Sequence, residues 1–170
     1  MSSVVGIDLS TKALDLVKLD ETTNRAEWVR CELHGKTAWE RTLSVRWGIV
    51  IDPASPFGGN WWSDVYLVAI EQPMGRGKVG STSVLNRVVG AVATSLPAHL
   101  RDPAQCWLIP PHEWKAGLRL KSKPTFDDID RFAGTIDRQT GEIANDANAR
   151  DAYCLAMYAR DLNAKGLAAA

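Results

Sequence analysis

A chain of 170 residues suits one domain with a proper core, and 45% hydrophobic residues exclude disorder for most of it. Twenty basic side chains balance twenty acidic ones, so bulk charge argues neither for nor against a nucleic-acid partner. No apolar run reaches the roughly 20 residues of a membrane span, no basic segment leads into an apolar signal core, and three dispersed cysteines without zinc spacing (Cys31, Cys106, Cys154) suit buried free thiols in a reducing, cytoplasmic compartment.

Residues 3 to 9 form a first strand, Val4-Val5-Gly6-Ile7-Asp8-Leu9 being β-branched and apolar around one carboxylate. A tight turn at Ser10-Thr11-Lys12 leads to a second strand, Ala13 to Leu19. A polar turn from Asp20 to Asn24 leads to a third, Ala26 to Leu33, so short turns predict an antiparallel meander. Thr37 to Val50 has helical spacing, with Trp39, Leu43, Trp47 and Val50 on one face. Asp52 to Asp64 is a long loop, and its Trp61-Trp62 pair either covers the core edge, the favoured role, or stacks on a ligand or base. Val65 to Glu71 is the fourth strand, and Gln72 to Ser81 is a glycine-rich loop carrying Met74, Arg76 and Lys78. Ser83 to Leu100 is a helix that Pro97 kinks or ends early. Cys106 to Ile109 is the fifth strand, and Pro111 suits the first turn of a short helix to Leu118. Lys115, Arg119, Lys121 and Lys123 form a basic stretch. Pro124-Thr125 opens a further helix, Asp137 to Glu142 is a turn, and the last helix runs from about Asp146 to Ala164. The expected architecture is α/β: a single domain over residues 1–164 with a short tail at 165–170. Its mixed five-stranded sheet joins the three-strand meander to two parallel strands, with helices on both faces. The first and fourth strands then lie side by side.

That arrangement sets Asp8 beside Glu71, both at the ends of apolar strands. Asp151 shares its helix face with Leu155 and Tyr158 and points inward. A buried carboxylate costs several kcal/mol unless something pairs with it. Three acids drawn from distant parts of the chain therefore suggest a divalent metal site. Asn148 lies three residues before Asp151, roughly 60° away around the helix, and can face the same site. Asp146 is better placed as the helix N-cap, with metal contact as its lesser alternative. Hard carboxylate oxygens select Mg²⁺ or Mn²⁺. A pair of such ions suits phosphodiester hydrolysis, in which one activates water and the other stabilises the leaving oxygen. Lys115 and the Arg119/Lys121/Lys123 cluster can hold the phosphate and its neighbours, although a solvated surface is the ordinary role of a basic loop.

Four segments in order carry a resemblance: Gly6-Ile7-Asp8-Leu9-Ser10, Ile70-Glu71-Gln72-Pro73, Pro111-His112-Glu113-Trp114-Lys115, and Asp151-Ala152 heading an apolar helix. Together they resemble the RuvC-type Holliday junction resolvases of the RNase H-like nuclease superfamily, over nearly the whole chain and in a style closer to phage-encoded members. The resemblance implies an RNase H-like fold and a homodimer that cuts branched DNA symmetrically, leaving 5′-phosphate and 3′-hydroxyl ends. It also implies action without a nucleotide cofactor, in the cytoplasm (the host's, for a phage protein). It implies two Mg²⁺ ions, with Mn²⁺ as substitute, on Asp8, Glu71 and Asp151, and Lys115 at the substrate phosphate. Asn148 stands where the family has an acid or a histidine, and Phe126 where it has a second lysine, Lys123 being the nearest. Met74, with Gly75-Arg76, falls where the family places a wedge at the junction centre. The helix from Ser83 to Leu100 is the implied dimer element. Three other functions stay open: a related nuclease of forks, flaps or RNA–DNA hybrids; a non-catalytic nucleic-acid binder, which Asn148 favours; and an actin-like nucleotide-binding fold, for which the chain is too short.

Overall fold

The computed structural model describes residues 2–10, 12–46, 60–74, 79–120, 123–133 and 138–167. Its strands are β1 (Ser3–Leu9), β2 (Ala13–Asp20), β3 (Ala26–Glu32), β4 (Val65–Glu71) and β5 (Cys106–Ile109), in the spatial order β3-β2-β1-β4-β5. The first three pair antiparallel, and β4 joins β1 and β5 in parallel. This is the mixed sheet the sequence predicts. Its helices are α1 (Ala38–Arg46), α2 (Val79–Ser95), α3 (Pro111–Gly117), α4 (Phe126–Ala133), α5 (Arg138–Asn145) and α6 (Ala147–Ala164).

Strand alternation sorts the side chains onto two cores. Val4, Val17, Leu19, Leu67 and Ala69 face α6. Val5, Ile7, Leu14, Leu16, Val68 and Ile70 face the other way, against Val88 and Val92 of α2 and Val45 of α1. Trp62 belongs to this second core, at 5% exposure, with Trp61 packed edge-on against it at a centroid distance of 4.6 Å. Covering the core is thus the role the pair performs. Cys31 and Cys154 are buried and Cys106 half-buried, and none is in a disulfide. Among the described residues no helix is long and apolar enough to cross a membrane.

Three expectations are corrected. The turn expected over Asp137 to Glu142 falls largely within α5. There Thr140, Ile143 and Ala144 follow helical spacing and are buried, so packing against α6 overrides a weak local signal. The expected apolar face of α1 is wrong: Trp39 is 67% and Leu43 37% exposed, while Val45 is buried. Trp47 and Val50 lie outside the described residues. Helix α2 begins four residues before Ser83 and stops at Ser95. Pro97, which lacks an N–H and fixes its own φ, precedes a separate 3-10 turn at Ala98–Leu100.

Candidate active site

Parallel pairing sets Ile7 level with Ile70, so the next residues, Asp8 and Glu71, reach the carboxyl ends of β1 and β4 together. Two-residue alternation puts Asp8 in line with Val4 and Gly6, and Glu71 in line with Leu67 and Ala69, on the α6 face. Gly6 lets α6 come down onto the sheet: a Cβ there would lie 2.0 Å from the Ala152 carbonyl oxygen and 2.8 Å from the Ala156 nitrogen. Asp151, one residue before Ala152, is thereby lowered towards the two strand acids.

Asp8 is 8% exposed. Burial pushes its carboxyl up to about 8, helped by the negative charges of Glu71, Asp151 and Asp15. Burial raises Glu71 as well, with Asp151 adding, against the pull of Lys115 and a hydrogen bond from Trp114. Asp151 is raised by burial although Lys115, Lys123 and Arg150 act the other way. The three acids therefore share one electrostatic neighbourhood.

Helix α3, started by Pro111 directly after β5, supplies the cation. Lys115 Nζ is 3.9 Å from Asp151 Oδ2 and 4.7 Å from the centre of the Trp114 ring. Trp114 is fully buried, and its Nε1 donates to Glu71 Oε2 at 3.1 Å. The Tyr158 hydroxyl donates to Glu113 at 3.1 Å, tying α3 to α6. Asp146 caps α6 as expected: its Oδ1 accepts from the Asn148 and Ala149 nitrogens at 2.9 and 3.1 Å, and its Oδ2 accepts from Arg30 at 2.9 Å. Asn148, half-buried in the first turn of the same helix, stands one turn from Asp151.

The remaining sequence-predicted residues lie further out. Lys123 is exposed but its charge still reaches Asp151. Arg119 is exposed in the turn after α3 with φ +59°, and Met74 is 45% exposed just beyond Glu71. Arg76, Lys78 and Lys121 lie outside the described residues.

Asp15 and Arg30 belong to this neighbourhood and were not singled out from the sequence. The expected turn hides the signal: a turn over residues 10 to 12 would set Leu9 against Ala13 and Asp8 against Leu14, whereas Ser10 N in fact bonds the Ala13 carbonyl at 2.9 Å and the register pairs Leu9 with Leu14 and Asp8 with Asp15. Trp114 was quoted only as part of a motif, and its bond to Glu71 has no sequence signature.

The donor set fits a hard divalent cation. Asp151 Oδ1 and Asp15 Oδ2 are buried carboxylate oxygens without a hydrogen-bond partner, a costly state that an oxygen-seeking ion relieves. Among the described residues no three His, Cys, Asp or Glu side chains close into a preformed metal cage. The arrangement is a partly buried group of mutually repelling carboxylates with one ammonium at its edge.

The mixed sheet in this order, with helices on both faces, is a fold shared with solved RuvC structures. The chain is similar to Thermus thermophilus RuvC in complex with a Holliday junction substrate, with a TM-score of 0.68 at 15% identity, covering 99% of each chain. It is similar to a second Thermus thermophilus RuvC structure, with a TM-score of 0.67 at 15% identity over 98% of each. No family model and no curated protein matches the sequence.

Proposed function

We propose that the chain is a metal-dependent, structure-selective DNA endonuclease that resolves four-way junctions by paired phosphodiester hydrolysis, leaving 5′-phosphate and 3′-hydroxyl ends. One observation carries this: a chain with the RuvC fold from end to end brings Asp8, Glu71 and Asp151 from two strands and a helix into one electrostatic cluster, with Lys115 beside it. Mg²⁺, with Mn²⁺ as substitute and two ions per site, would be held by Asp8, Glu71 and Asp151 with Asn148 adjacent, and would supply water activation and neutralisation of the leaving oxygen.

The chain's own residues set the geometry. Trp114 orients Glu71, the Asp146 cap fixes the first turn of α6, and Lys115 offers its ammonium to the scissile phosphate. Lys123 and Arg119, with Arg76, Lys78 and Lys121, would follow the backbone of the DNA arms. Met74, exposed beyond Glu71, would lie at the junction centre. Two such sites in a homodimer would cut symmetric strands, and the reducing cytoplasm suits the free thiols.

The test is incubation with labelled four-way junction, replication fork and linear duplex, in Mg²⁺ and in Mn²⁺, beside an Asp8→Asn variant. Symmetric, religatable junction nicks that vanish in the variant are expected. Asymmetric cleavage of forks or flaps would keep the metal site and change the substrate. Tight junction binding without cleavage in either metal would identify a non-catalytic binder, and 3′-phosphate ends would reject the mechanism.

A further inference from the structure

Asp8, Asp15 and Arg30 form a row across three neighbouring strands. Asp15 is the register partner of Asp8 on one side and of Arg30 on the other. Directly opposed residues of an antiparallel pair project from the same face. For this row that is the α6 face, shown by Val17 and Leu19 in line with Asp15 and Trp28 in line with Arg30.

Asp15 has a side-chain exposure of 1%, and its two oxygens are treated differently. Oδ1 accepts from Trp28 Nε1 at 3.0 Å and from Arg30 Nε at 2.9 Å. Oδ2 is buried and has no hydrogen-bond partner. A carboxylate serving only as a counter-ion for arginine would offer both oxygens to the guanidinium fork. Arg30 instead turns its Nη2 to Asp146, the cap of the helix that carries Asp151. Two like charges placed directly opposite each other on a sheet are destabilising, and Asp8 and Asp15 are so placed in the core. A ligating carboxylate held by hydrogen bonds on its other oxygen is the ordinary support arrangement of a metal site.

We infer that Asp15 is a fourth carboxylate of the metal site, its Oδ1 fixed by Trp28 and Arg30 and its Oδ2 directed to the cation beside Asp8. The negative charge that Asn148 does not provide from α6 then comes from β2. Arg30 is a positioning residue that locks Asp15 and the α6 cap together. This rests on the metal-dependent function proposed above.

The experiment measures Mn²⁺ affinity from the free-ion electron paramagnetic resonance signal, with circular dichroism checking the fold. The unmutated chain should bind, and Asp8→Asn should lose binding. Asp15→Asn should weaken binding roughly 10- to 100-fold, and adding Asn148→Asp to it should recover most of that loss, which a purely structural role for Asp15 would not produce. In the unmutated chain, titration with diamagnetic Mg²⁺ should shift the Asp15 carboxyl carbon resonance along with that of Asp8 and leave Asp20 unmoved; this arm holds even where Asp15→Asn fails to fold. Parent-like Mn²⁺ affinity in Asp15→Asn, or an unshifted Asp15 resonance beside a shifted Asp8, overturns the assignment alone. No binding by the parent, or parent-like binding by Asp8→Asn, overturns the metal site itself and the assignment with it.

Discussion

In metal-free buffer at about pH 8.5, Asp8→Asn is expected to be more stable than the parent chain. The Asp8 carboxyl is lifted from 3.8 to about 8 by burial and by Glu71, Asp151 and Asp15. A folded-state value above the unfolded one means that the native state holds the proton more tightly. Its contribution is complete below the unfolded value and is lost as pH rises through the folded one. At about 1.4 kcal/mol per pH unit, the whole effect is on the order of 5 kcal/mol. Glu71 and Asp151 are raised too and act in the same direction. Asp20, Glu40, Asp64 and Asp146 are lowered and act below the ordinary carboxylate range. In a chain of this length 1 kcal/mol moves Tm by about 2–4 °C. The parent Tm should therefore fall by on the order of 10 °C between about pH 5.5 and 8.5. Asparagine stays neutral throughout, so the variant should lack most of that slope. Differential scanning calorimetry across the interval, in chelator and then in millimolar Mg²⁺, is the assay. The ion should restore the parent at high pH and leave the variant unmoved. A parent Tm that is flat or rises over the interval in chelator, or a variant no more stable than the parent at its upper end, would refute the reasoning.

Lys115→Met keeps the length of the side chain and removes the ammonium 3.9 Å from Asp151. Single-turnover cleavage of a four-way junction should fall by on the order of 100-fold, with junction affinity changed far less; an unchanged rate would remove Lys115 from the chemistry. Gly6→Ala places a methyl group 2.0 Å from a backbone oxygen of α6, and urea denaturation should show a loss of about 3 kcal/mol or more. Trp114→Phe keeps most of the ring and deletes the donor to Glu71, which should cost about 2 kcal/mol in the same assay.

The sheet was legible because each strand is a short run of β-branched or apolar residues bounded by turn residues, and the turns between β1, β2 and β3 are too short for a crossover. Asp8 and Glu71 were legible as carboxylates at the ends of such runs. Asp151 was legible from its phase relative to Leu155 and Tyr158. The signals failed where burial, not local pattern, decides the structure. Residues 137–142 contain aspartate, threonine and glycine and read as a turn, yet most of them fall in α5, whose Thr140, Ile143 and Ala144 are buried. Trp39 and Leu43 share a helical face with nothing described to cover it, whereas Val45, off that face, is the residue the second core takes in. Asp15 carries no signal of its own, because a single acid in a loosely alternating strand reads the same on either face. Its face is set by the hairpin register, and that face is the buried one.

The site follows from a packing choice made some distance from its chemistry. Helix α6 lies close to β1 because Gly6 has no side chain and the helix presents Ala149, Ala152 and Ala156 to the sheet-side core. Asp151, one residue before Ala152 on that helix, is thereby brought into the electrostatic neighbourhood of Asp8 and Glu71. The same proximity removes water from Asp8, so its charge has to be balanced by a proton or a cation. Lys115 compensates part of the excess at one rim of the cluster and Arg30 part at the other. Neither is an immediate partner of Asp8, which burial and three acids hold well above its ordinary range. A fold that needed these side chains only for stability would do better with apolar ones of similar size. Retaining acids on β1, β2, β4 and α6 around one position makes sense when a divalent ion supplies the missing positive charge. Metal affinity, more than junction affinity, should therefore be the property most sensitive to substitutions along the Asp8–Asp15–Arg30 row.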